Sequence, residues 1–210
     1  MESSNKPTLW YFADPMCSWC WGFSPVISEI KSNYLDKINI ALVMGGLQTE
    51  EVSTLSGSSR EEVFHHWHQV EKMTGQDFLF DNALPEGFIY NTEAACRAVI
   101  TVGLIEPKEI FTYFTAVQRA FYMQNQDVTQ LGCLQQIAVD CGLDADEFKS
   151  LFEDEKTKSS IEKSFQFTKK AGVQGFPTLI LNIENELHII SRGYIDYEGV
   201  SKALDNFLPA

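Results

Sequence analysis

Two cysteines three positions apart, Cys17 and Cys20, stand where an apolar run gives way to a helical pattern, and that junction restricts what the chain can fold into. Thr8-Leu9-Trp10-Tyr11-Phe12-Ala13, bounded by Pro7 and by Asp14-Pro15, reads as a buried strand. From Ser18 onward, Trp21, Phe23, Val26, Ile27 and Ile30 recur at three- and four-residue intervals, which predicts a helix to about Asn33, kinked at Pro25. Cys17 then falls at a helix N-terminus, where unpaired backbone N–H groups and the positive end of the macrodipole favour a thiolate, the nucleophilic form of cysteine. The i, i+3 spacing puts Cys20 one turn below, more buried and able to resolve a mixed disulfide formed on Cys17.

Downstream, Ile38 to Met44 reads as a second buried strand ending at Gly45-Gly46, so the chain opens strand, helix, strand. Residues 47–155 contain no convincing strand and read as all-helical. Ser59-Arg60-Glu61-Glu62 is a capping box for a helix closed by Gly75, and Asn91 or Thr92 can cap a second ending near Gly103. Pro107 suits the first turn of a third, in which Ile110, Phe114, Val117 and Phe121 share a face. Asp127 can cap a fourth that ends at Gly142, and Asp144 with Glu147 a fifth. A helix of about 157–171 precedes Gly175-Phe176-Pro177; the runs 178–183 and 187–192 flank a turn at Glu184-Asn185 as a hairpin, and 196–207 forms a closing helix.

The 210 residues carry 16 basic against 29 acidic side chains, a formal charge of −13 that argues against nucleic acid or an anionic membrane as partner. The polar N-terminus lacks the apolar run of a secretory signal, and no stretch approaches a membrane span, so the expected location is the cytosol. Five cysteines, an odd number, do not suggest a disulfide scaffold. Cys133 and Cys141, eight residues apart on one predicted helix, lie about 12 Å apart along its axis, beyond the ~7 Å limit for a disulfide. With Cys96, on an apolar face beside Val99 and Ile100, they read as small buried hydrophobes. Cys17 and Cys20 lack the second ligand pair of a zinc ribbon. Glu61, His65 and His68 fall within reach of one divalent ion, but the spacing is not that of a zincin helix, and a surface cluster is the commoner outcome.

The segments Asp14-Pro15-Met16-Cys17-Ser18-Trp19-Cys20-Trp21-Gly22-Phe23, Asn91 to Ala98 and Gly172 to Thr178 resemble the DsbA family, in its cytosolic, FrnE-like branch. The resemblance implies an α/β thioredoxin fold (1–46 with 156–210) carrying a large inserted all-helical domain (47–155). It implies a thiol-disulfide oxidoreductase or isomerase with Cys17 as nucleophile and Cys20 as resolving thiol. Pro177 would be cis, and with Phe176 and a partly exposed Trp19 would hold the substrate. No cofactor is implied beyond the redox-active pair. The partners would be protein or peptide thiols and disulfides, with glutathione as a co-substrate or a reductase for recycling. Ser18-Trp19 replaces the Pro-His pair of DsbA, so with no cation in the loop the couple is expected to be less oxidising. Tyr11 stands where many members carry a buried acid that serves Cys20, and Asp14 is the nearer carboxylate. Arg97 is expected either to face the groove or to be solvated; Trp21 reads equally as core or contact.

Three other functions fit parts of the pattern. Kappa glutathione transferases and 2-hydroxychromene-2-carboxylate isomerases share the helical insert but usually have Ser at the first Cys position. A redox-independent, chaperone-like module would act with both cysteines replaced. A zinc carrier would co-purify with metal.

Overall fold

The computed structural model describes residues 6–49 and 54–208; the polar leader at 1–5 lies outside them. Strand β1 (Thr8–Ala13) pairs in parallel with β2 (Asn39–Met44), and helix α1 (Ser18–Tyr34) connects them. Strand β3 (Thr178–Ile183) lies antiparallel to β1, and β4 (Glu186–Arg192) antiparallel to β3, giving one sheet in the order β2-β1-β3-β4. The β3–β4 turn places Glu184 and Asn185 at φ 52° and 73°, the left-handed pair that a two-residue hairpin loop requires. Among the described residues five α-helices come between β2 and the long helix that leads to β3: α2 (Gly57–Thr74), α3 (Glu93–Ile105), α4 (Ile110–Gln124), α5 (Leu131–Asp140) and α6 (Ala145–Glu153). That long helix is α7 (Glu155–Lys170), and α8 (Tyr197–Asp205) follows the hairpin. The order strand, helix, strand, a block of helices, then helix, hairpin, helix is the one the sequence pattern predicts, and the α/β fold is the thioredoxin type that the resemblance implies.

Alternation along β1 sends Leu9, Tyr11 and Ala13 to one face of the sheet and Trp10 and Phe12 to the other. The first face is covered by α1 and by α8, whose Ser201 and Asp205 both bond the Tyr34 hydroxyl at 2.8 Å. The second is covered by α7, with Phe167 at 4.9 Å from Trp10 and 5.6 Å from Phe12. The interposed helices share the first face's core: Phe114 of α4 meets Tyr11 at 6.1 Å, and Trp67 of α2 gathers Phe64, Phe78, Phe80, Phe121 and Tyr122. Gly22 lets α2 approach α1, since a β-carbon there would stand 2.6 Å from Val70 Cγ1.

Several element ends differ from the sequence reading. Helix α2 is capped by Ser56, whose hydroxyl accepts from Ser59 N–H, so the Ser59–Glu62 box lies inside the first turns. Helix α3 runs through Gly103 to Ile105, and Ile110 packs where a side chain at Gly103 would sit. Pro107 opens a 3-10 turn (Pro107–Glu109) rather than α4 itself. Asp127 bonds Thr129 N–H in a tight turn, which leaves Gln130 as the N-cap of α5 and Cys141 just past its end. Asp144 and Asp196 cap α6 and α8 with side-chain bonds.

Candidate active site

Helix α1 begins on Cys17, which is extended (φ −86°, ψ 116°) and makes no capping side-chain bond; no acidic residue occupies the first turn. The entry is held by backbone: Cys17 N–H donates to Asp14 O at 3.1 Å, and the Cys17 carbonyl accepts from Trp21 N–H at 3.0 Å. An anion on Cys17 therefore meets unneutralised N–H groups and the positive helix end. Both thiols are free. Cys17 is 5% exposed, and its Sγ lies 3.6 Å from the carbonyl oxygen of Phe176 as donor to acceptor. Cys20 is fully buried. Burial pushes its thiol well above the ordinary range; the hydrogen bond to Cys17 and the Cys17 charge push the same way, and the Asp14 backbone N–H opposes them.

Asp14 points inward. Its carboxylate accepts from Met16 N–H (2.8 Å), Leu47 N–H (2.7 Å), the Thr92 hydroxyl (2.7 Å) and the Cys96 thiol (3.3 Å). Burial raises the carboxyl from 3.8, and the four donors partly offset it. Its carboxylate is committed to joining the active-site loop, the segment after β2 and the start of α3, so Cys20 receives from Asp14 a backbone N–H rather than a carboxylate acceptor. Cys96 is fully buried as expected, though polar in its contact.

Proline shapes α1 in a way its position alone did not reveal. Pro25 removes the N–H that would bond the Trp21 carbonyl. That carbonyl instead accepts from Ser24 Oγ at 2.8 Å and from Gln76 Nε2 at 3.1 Å, a tie from the end of α2 to the active-site helix. Trp21 is core: its Nε1 donates to Asp77 O at 3.0 Å, and its ring stacks on Tyr122 at 6.1 Å. The Tyr90 hydroxyl donates to Met16 O, immediately before Cys17.

The Phe176–Pro177 peptide is cis. Gly193 N–H donates to Pro177 O at 2.8 Å and Thr178 Oγ1 to Gly175 O at 2.8 Å, which fixes this loop opposite Cys17. The Phe176 ring lies on Gly45, where a β-carbon would stand 2.0 Å from its Cζ. Two clefts meet at Phe176. One of about 610 Å³ runs from Cys17, Ser18 and Trp19 to Glu62 and His66 of α2; the other, of about 470 Å³, runs past Gly46 to Lys169 of α7. Trp19 is half-buried on the wall of the first.

Other expected positions lie elsewhere. Arg97 does not face the cleft: it pairs with Glu93 at 3.0 Å and lies 4.1 Å over the Phe152 ring, because the i, i+4 acid and α6 are nearer partners. His65 bonds Gln69 and His68 stacks on Phe80 at 4.1 Å, so Glu61, His65 and His68 do not converge, and no metal-ligand cluster occurs among the described residues. Cys133 and Cys141 are half-buried and free, with burial pushing Cys133 up to about 11. Sequence reasoning missed Tyr90, Tyr122 and Gln76, which carry no motif, and saw Gly45 only as a strand end and Thr92 only as a cap.

The profile of a family described as Thioredoxin matches residues 10–200. The chain belongs to that family, and it shares the fold of solved DsbA-type proteins. Among solved structures, a protein from Nitrosomonas europaea provisionally described as a protein disulfide isomerase is 44% identical, with a TM-score of 0.92 and coverage of 97% of this chain and 98% of that one. The cytosolic disulfide reductase DsbM from Pseudomonas aeruginosa shares the fold at 24% identity, with a TM-score of 0.75 over 88% and 89% of the two chains, and has also been solved with GSH. A curated relative, the ClpXP adapter protein SpxH of Halalkalibacterium halodurans, is 24% identical over 99% of this chain and 70% of its own. The chain spans 60% of the SpxH of Shouchella clausii at 21% identity. Among the described residues no helix is long and apolar enough to cross a membrane.

Proposed function

We propose that the protein is a cytosolic dithiol oxidoreductase in which Cys17 exchanges with substrate disulfides and Cys20 resolves the mixed disulfide. The observation that carries this reading is the asymmetry of the pair: Cys17 opens α1 without a side-chain cap at the cleft, while Cys20 lies sealed one turn below. Attack by the Cys17 thiolate on a disulfide forms a Cys17–substrate bond and releases one substrate thiolate. Cys20 then displaces the second, leaving the Cys17–Cys20 disulfide, and a thiol donor returns the pair to the dithiol.

Phe176 is the proposed substrate edge, its ring held against Gly45 while its backbone groups stand beside Cys17 for pairing with an extended segment. Clefts on both sides of Phe176 accommodate residues flanking a substrate cysteine, and Trp19 offers an apolar contact. Peptide disulfides and glutathione are both proposed substrates, the latter supported by the DsbM neighbour solved with GSH. Residues 47–155 are proposed as the insert that roofs the groove, with 1–46 and 156–210 as the thioredoxin unit.

A redox titration in glutathione buffers tests this. A single two-electron transition, lost in Cys20→Ser, is expected, and its midpoint against the ~−220 to −320 mV cytosolic range tells whether the protein donates or removes disulfides. Thiols that stay reduced across the range would defeat the reading. The SpxH relatives favour a second one, a redox-independent adapter, which predicts that a Cys17→Ser/Cys20→Ser variant still binds its client.

A further inference from the structure

Tyr11 is fully buried, and its hydroxyl is among the buried polar atoms with no hydrogen-bond partner. Such an orphan costs stability, and a phenylalanine would fill the same space without it. The ring is held on both sides, by Phe23 of α1 at 5.6 Å and Phe114 of α4 at 6.1 Å. Phe23 lies one turn after Cys20 on the buried face of α1, and β1 directs Tyr11 toward that face. The sulfur that the hydroxyl faces is that of Cys20, and Cys20 and Cys17 are the charged groups that weigh on it. With Cys20 a free thiol the hydroxyl makes no hydrogen bond of ordinary geometry, although it faces that sulfur; a Cys20 thiolate would offer it a charged acceptor.

We propose that the Tyr11 hydroxyl is a donor held in reserve for the Cys20 thiolate, paired only while Cys20 resolves a mixed disulfide on Cys17. In that step the Cys20 sulfur attacks Cys17 Sγ, the Cys17–Cys20 bond forms and the Cys17–substrate bond breaks. The substrate sulfur leaves as a thiolate and takes up from solvent the proton that Cys20 released. Cys20 otherwise receives only the Asp14 backbone N–H as a favourable contact, while the charges of Cys17 and Asp14 oppose its ionisation; the group that α4 presents to Tyr11 is the apolar Phe114. Burial holds the Tyr11 phenol well above its usual range, so it acts as donor and not as base.

The inference rests on the dithiol reading, and Tyr11→Phe tests it apart from that reading. A hydrogen bond to a charged group is worth about one to two pKa units on Cys20. About half is returned because a more basic thiolate is the better nucleophile, leaving resolution of a glutathione mixed disulfide about three- to tenfold slower near pH 7. In the Cys17→Ser background, Tyr11→Phe should raise the Cys20 titration midpoint by the same one to two units, about ten- to hundredfold in acidity. Alkylation of Cys17 should be unchanged and the melting temperature of the reduced protein unchanged or higher. An unchanged resolution rate with an unchanged Cys20 midpoint overturns the proposal. So does a slowing matched by slower Cys17 alkylation and a lower melting temperature, which would make the hydroxyl structural. Absence of glutathione release from the wild-type mixed disulfide would instead refute the dithiol reading.

Discussion

Helices α1 and α7 pack on opposite faces of the same sheet and begin in opposite ways. Helix α7 is closed by Asp154, whose carboxylate accepts from Lys156 N–H at 2.7 Å, and Glu155 adds charge to its first turn. Helix α1 opens on a cysteine with neither device. A carboxylate or hydroxyl cap stabilises by about 0.5–2 kcal/mol, so the start of α1 forgoes stability that the start of α7 takes. What it retains is a helix end with no side-chain cap and no first-turn acid, beginning at the cysteine that lines the cleft. The difference teaches that the site is built by leaving an ordinary structural bond unmade.

The strongest way to break the contrast is to give α1 a cap. Cys17→Ser should abolish exchange, with no glutathione adduct by intact-mass spectrometry, while stability holds or rises by up to about 1 kcal/mol in urea unfolding. Cys20→Ser should accumulate one glutathione per chain. The next largest effect is expected at Gly45, where the fold lets the Phe176 ring reach the cleft beside α1. Gly45→Ala should cut kcat/KM for a peptide disulfide about 10- to 100-fold by shifting Phe176, with far-ultraviolet circular dichroism unchanged.

A third measurement sharpens the comparison by pH. Cys20 is raised in the folded state, so its contribution to stability is full below its unfolded value of about 8.5 and is lost as pH rises toward the folded value. Unfolding free energies of Cys17→Ser should fall above about pH 8.5 by up to ~1.4 kcal/mol per unit relative to Cys17→Ser/Cys20→Ser. The smallest effect belongs to α7: Asp154→Ala should cost about 1 kcal/mol and leave the exchange rate unaltered.

Strand alternation and the Cys17–Cys20 spacing were legible because each is a local pattern set by backbone geometry, and Gly175-Phe176-Pro177 was legible through the resemblance it carries. Caps written as Ser59 and Asp127 slipped because serine and aspartate bond any nearby N–H, and Ser56 and a Thr129 turn took the competing bonds. The inward turn of Asp14 was not legible, since its partners Leu47, Thr92 and Cys96 lie 33, 78 and 82 positions away. Tyr90 and Gln76 act through Met16 O and Trp21 O, backbone atoms that no side-chain motif advertises.

Trp67 and its five aromatic neighbours, joined to α1 through Tyr122 on Trp21, and Phe114 of α4, which meets Tyr11 of the sheet, carry a consequence for dissection of the molecule. Excising α2 to α6 and bridging β2 to α7 would take Phe114 from the Tyr11 ring and Tyr122 from the Trp21 ring, and leave the Asp14 carboxylate without Thr92 and Cys96. The chain should melt in one calorimetric transition with equal calorimetric and van't Hoff enthalpies. That single transition would mean that the thioredoxin unit and its helical insert fold as one body, from which no smaller autonomous redox unit can be cut.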